Sequence, residues 1–122
     1  MSLELAPRPC RGRPGGRADR AEPAHLTDEE LAGYVMSPLA RCSGASVDPD
    51  EWFPVAAAAK AARAEAARAL ALCTVCPVRA ECLELSMRQW ATIGKYGIWG
   101  GLVEAERAAA HREWQSAASP RR

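Results

Sequence analysis

Three cysteines packed into ten residues constrain this chain more than any other feature. Cys73, Cys76 and Cys82 stand in "LALCTVCPVRAECLEL", residues 70–85, within sequence that otherwise reads as helix. Pro77 suits the first turn of a helix, where its missing N–H costs nothing. A helix begun there puts Cys76 at its N-terminal boundary and Cys82 one to two turns inside, so both face one point. The positive end of the helix dipole and its free amides are expected to lower thiolate pKa values and favour an anionic centre. Cys42, on a loop before the preceding helix, is the natural fourth donor.

Four cysteines separated by 30, 2 and 5 residues suit tetrahedral zinc or an iron–sulfur cluster, with a redox-active dithiol as a third reading. One C-x-x-C unit rather than two is a mild argument for the cluster. No stretch approaches a membrane span and no leader pattern opens the chain, which therefore reads as cytoplasmic. In a reducing compartment clustered thiols are metal ligands or redox groups before they are disulfides. Cys10, beside Pro9, reads as a bystander, and His25 and His111 stand in no metal-like spacing. There is no Ser-His-Asp arrangement, phosphate-cradling loop or carboxylate pair, so no catalytic residue is assigned and a metabolic enzyme is not expected.

Residues 1–25, rich in Pro, Gly and Arg, read as a disordered tail. Thr27 followed by Glu30 is a capping-box pattern for a short helix to about Val35, and "RCSGASVDPDEWFP" is a loop. The alanine-rich run 55–72 predicts one long helix ending at Cys73, a third helix should cover 77–90, and a last one 103–115. Between them "IGKYGIWGGL", residues 93–102, has the glycines of a tight turn with positive φ angles. The expected fold is all-α, about four helices in a domain spanning 26–115, followed by a short basic tail, 116–122. Its core must be thin, because 26 of the hydrophobic residues are alanines, and such domains often need a staple.

With these pieces placed, the chain closely resembles the WhiB-like family of actinobacterial iron–sulfur transcription regulators. The resemblance rests on Cys42 followed by "DPDEWFP" at 48–54, "CTVCPVRAECL" at 73–83 and "YGIWGGL" at 96–102, in that order and spacing. It implies a small helical domain in which Cys42, Cys73, Cys76 and Cys82 hold a 4Fe-4S cluster that responds to nitric oxide or oxygen. It implies docking on the C-terminal domain of the primary sigma factor of RNA polymerase through Trp52, Phe53 and Trp99. The loaded protein is expected to be a monomer off the membrane, with a disulfide reductase of the cluster-free form and a zinc-stapled module as the alternative functions.

Two departures from the family pattern stand out. Val103 replaces a frequent Thr, so the last helix loses a side-chain cap and its start is expected to fray. The C-terminal end is weakly basic, with only Arg121 and Arg122 after Arg107 and Arg112. The core, residues 26–102, carries seven basic against nine acidic residues, so promoter DNA contact should be weak and assisted by the partner. Arg11 and Arg13, in "RGRPGGR", look like the core of an AT-hook, although compositional bias is the stronger reading of that segment. Arg11, Arg13, Arg121 and Arg122 are the candidate DNA contacts.

Overall fold

The computed structural model describes residues 20–118, and these are all-α apart from turns and one isolated bridge between Trp99 and Leu102. Helix α1, Asp28–Val35, opens with the expected capping box: the Glu30 amide donates to Thr27 Oγ1 at 3.0 Å and the Thr27 amide to Glu30 Oε1 at 2.8 Å. Its buried Leu31 faces α4, Arg79–Arg88, on which α1 packs. Among the described residues no helix is long and apolar enough to cross a membrane.

The single helix expected over 55–72 is two helices, α2, Ala59–Glu65, and α3, Ala67–Thr74, broken at Ala66 with φ −108°. The cause lies in two carboxylates. Glu65 Oε1 accepts the amides of Val55 and Ala56 at 2.9 and 3.3 Å, folding residues 55–58 back before the helix can begin. Glu51 Oε2 accepts the amides of Arg68 and Ala69 at 2.7 and 3.2 Å, capping the N-terminus that the break exposes. Glu51 itself sits on a 3-10 turn, Pro49–Trp52, started by Asp48, whose side chain accepts the Asp50 amide. The break thereby ties the "DPDEW" loop to α3.

The core is as thin as the composition implies: one cluster is Ala62, Ala66, Ala69, Leu70 and Val103, with Trp52 and Ile98 packed against it, and Leu31, Ala40, Val78, Leu85 and Met87 are the other buried apolar residues among those described. Val103 is fully buried, and its amide donates to Glu106 Oε1 at 3.1 Å. The start of the last helix, α5, Glu104–Ala118, is thus held by burial and half a capping box, with Glu106 fastened to Arg63 at 2.6 Å.

Ordered structure also begins before Leu26. Pro23–His25 form a 3-10 turn, and Arg88 gathers their carbonyls: its guanidinium donates to Pro23 O, Ala24 O and Leu26 O at 2.7–3.1 Å and pairs with Asp28 at 2.9 Å. The Arg20 guanidinium lies over the Tyr34 ring and donates to Pro77 O. Arg20 and the Pro23–His25 turn, which composition assigns to the tail, are therefore tied to α1 and α4.

Candidate functional site

Cys42 lies in the turn after α1, Cys73 in the last turn of α3, Cys76 between α3 and α4, and Cys82 within α4. All four are free thiols, and all four line one cavity of about 390 Å³, together with Trp52, Phe53 and Trp99. The fold brings the four thiols onto the wall of one cavity.

Burial dominates the electrostatics of these thiols. It pushes Cys42 and Cys73 up, and Cys82, the most enclosed, up to about 12, with mutual repulsion among the four thiols adding to the rise. The lowered pKa values expected from the helix end are therefore not found for these three. At Cys82 and Cys73 backbone amides oppose the rise without overcoming it. The Gly100 N–H donates to Cys82 Sγ at 3.3 Å, the Gly101 amide favours the Cys73 thiolate, and the Arg41 N–H donates to Cys76 Sγ at 3.5 Å. A positively charged occupant would displace the thiol protons, since only thiolates ligate metals.

A zinc site would draw its sulfurs to about 2.3 Å from one point. Among the described residues no three His, Cys, Asp or Glu side chains converge in that way. Four thiol donors lining one cavity are a donor set that both structural zinc and iron–sulfur clusters use. The histidines are elsewhere: His25 is exposed, and His111 stacks between Trp90 and Trp114 at ring distances of 4.3 and 5.6 Å.

The glycine turn forms the other wall. Gly97, Gly100 and Gly101 all have positive φ, and at Gly100 (φ +59°) a Cβ would sit 2.6 Å from the Cβ of Leu83. Only glycine lets the turn approach α4 closely enough for its amide to reach Cys82.

Three arginines to which the sequence analysis gives no structural role hold this turn by its carbonyls. Arg63 donates to Gly101 O at 3.0 Å, Arg79 to Gly100 O at 3.1 Å, and Arg107 to Gly94 O, Gly97 O and Leu102 O at 2.9, 2.6 and 2.9 Å. Arg107 is fully buried, and desolvation pulls its pKa down to about 10. The one signal in sequence was its place three residues after Glu104, on the first turns of a helix whose other face is exposed.

The aromatic residues divide. Trp52 is half-buried against the core, Trp99 is half-buried over the cavity with its Nε1–H donated to Tyr96 O at 2.9 Å, and Phe53 is 60% exposed. The two loops that carry them are joined, because the Ile98 N–H donates to Trp52 O at 2.9 Å. Tyr96 and Ile93 are exposed on the same glycine-rich segment. Arg11, Arg13, Arg121 and Arg122, with Cys10, lie outside the described residues. Arg107 faces the interior and offers nothing to DNA, whereas Arg112 is exposed.

Residues 38–110 match the family model of the transcription factor WhiB. Over 80 residues the chain is 38% identical to the transcriptional regulator WhiB of Streptomyces coelicolor, covering 66% of this chain and 76% of that protein. Over 65 residues it is 40% identical to the transcriptional regulator WhiB1 of Mycobacterium tuberculosis, covering 53% of this chain and 73% of that protein. No solved structure matches the chain. The matched segment contains all four cavity cysteines, the glycine turn and Arg107.

Proposed function

The chain belongs to the WhiB family of transcription regulators, and from that premise we propose that it carries a 4Fe-4S cluster on Cys42, Cys73, Cys76 and Cys82 and regulates transcription together with the primary sigma factor. The observation that carries this reading is the convergence of four free thiols, from three separate parts of the chain, on one cavity. When bound, such a cluster supplies reactivity toward nitric oxide and oxygen. The protein's own residues supply the rest. On binding, the four thiols would release their protons to solvent and ligate as thiolates, the amides of Arg41, Gly100 and Gly101 would favour the resulting negative charge, and the half-buried aromatics would restrict water.

Those same ligands fasten three pieces of chain: the Cys42 turn, the α3–α4 junction and, through Cys82 and Gly100, the glycine turn. Phe53, exposed at the cavity mouth, and Trp99 over it form the partner surface in this reading, with Trp52 behind them as support. Ligand loss frees the loops that present the aromatics, so the sensed chemistry becomes loss of partner binding. A disulfide reductase needs a thiolate of lowered pKa, and burial pushes Cys73 the other way.

The test is co-purification with the C-terminal domain of the primary sigma factor. Trp99→Ala is expected to keep iron and helicity while losing the partner, since aromatic hot spots are each often worth about 2 kcal/mol or more. Nitric oxide is expected to bleach the wild-type protein and release the domain. A Trp99→Ala protein that binds as tightly as wild type removes the partner assignment.

A further inference from the structure

The turn closed by Trp99 and Leu102 has Gly100 and Gly101 as its two central residues, and it is their amides that face Cys82 and Cys73. Both have positive φ, 59° and 82°, as a mirror-image tight turn requires. The turn closes with the Leu102 N–H donating to Trp99 O at 3.1 Å, and the reciprocal acceptor, Leu102 O, takes the Trp99 N–H at 3.3 Å and the Arg107 guanidinium at 2.9 Å. Arg107 therefore bonds directly to one carbonyl of the reciprocal pair at the turn's neck.

All three hydrogen bonds of this buried cation go to carbonyls of the one segment 94–102, and its Nη2 has no hydrogen-bond partner. A charge taken out of water without a directly bonded carboxylate is an expensive way to tie a loop to a helix. What the guanidinium offers in return is its planar fork, which spans separate carbonyls in fixed directions as a lysine ammonium does not.

We propose that Arg107 is a positioning residue for the thiol site: by holding the carbonyls of Gly94, Gly97 and Leu102 from beneath the glycine turn, it keeps the amides of Gly100 and Gly101 aimed at Cys82 and Cys73. Arg79 and Arg63 complete the clamp from α4 and α2. The effect on cofactor retention rests on the cluster reading above, whereas the clamp itself does not.

Hydrogen–deuterium exchange of the full chain as purified, read by mass spectrometry, tests the clamp whatever the site holds. Arg107→Lys keeps the charge and loses the fork. Exchange over residues 97–102 is expected to quicken roughly tenfold, the scale of one hydrogen bond to a charged group, while α4 exchanges as in wild type. In the iron-loaded protein the same variant should surrender iron to a chelator faster by a similar factor. Unchanged exchange over 97–102 overturns the proposal, and so does equal quickening over α4, which would make Arg107 a general support of the fold. Should Arg107→Lys fail to fold, the exposed Arg79→Gln decides, with quickening over 97–102 expected and none refuting it. If wild type holds no iron but the exchange changes as stated, the clamp stands and the cluster reading falls.

Discussion

Gly100→Ala puts the central geometry at risk with a single methyl group. The residue sits at φ +59°, where an L side chain costs roughly 1–2 kcal/mol. The new Cβ would meet Leu83 Cβ at 2.6 Å and Leu83 Cα at 3.0 Å, both on α4, so the turn must move away. Overpacking of that kind costs about 1–3 kcal/mol. The sum, roughly 2–5 kcal/mol, is a large share of the stability of a domain this size, about 5–15 kcal/mol at most. At about 4 °C per kcal/mol the melting temperature should fall by roughly 10 °C or more. Movement of the turn also withdraws the Gly100 N–H from Cys82, so iron retention should fall with it. Gly33→Ala is the matched control: it lies in α1 with nothing within 4 Å of the added methyl, and should raise stability by up to about 1 kcal/mol. Thermal melts followed by circular dichroism, with iron measured on the same samples, read both variants. A Gly100→Ala protein that melts within a degree or two of wild type and keeps its iron refutes the close-approach argument.

Other outcomes follow from the same contacts. Cys42, Cys73, Cys76 and Cys82 are each expected to be required for iron retention when changed to Ala, while Cys10→Ala keeps the wild-type content; full iron in Cys82→Ala would overturn the ligand set. Glu51→Ala removes the remote cap of α3 and should cost about 0.5–2 kcal/mol in a melt, whereas Glu51→Gln, which keeps an acceptor for the Arg68 and Ala69 amides, should recover part of it. His111 is held below its ordinary pKa by burial in the tryptophan stack. Its stabilising contribution is therefore present above about pH 6.5 and lost as pH falls through its lower folded value. The gap in melting temperature between wild type and His111→Phe should accordingly shift toward the variant on acidification, and a gap independent of pH would contradict the assignment.

What could be read from the sequence was local. The capping box of Thr27 and Glu30 and the glycines of the turn each have their partners within a few residues, and each stands as expected. The break at Ala66 has no local cause in a run of alanines; it comes from Glu51, 17 residues from Arg68, and from Glu65 reaching back to Val55. Arg107 looked like one more solvated charge on a helix because its acceptors are carbonyls of a turn, which carry no side-chain signature. Residues 20–25 looked like tail for the same reason: Arg88 and Tyr34, far along the chain, supply what holds them. The pKa direction failed because helix-end effects are readable from position, whereas desolvation depends on the finished cavity.

The most direct test of the central claim is elemental analysis of the protein purified without oxygen, with its visible spectrum. The proposed cluster on the four cavity thiols predicts a brown protein with about four irons and matching sulfide per chain. A colourless protein holding a single zinc would contradict it.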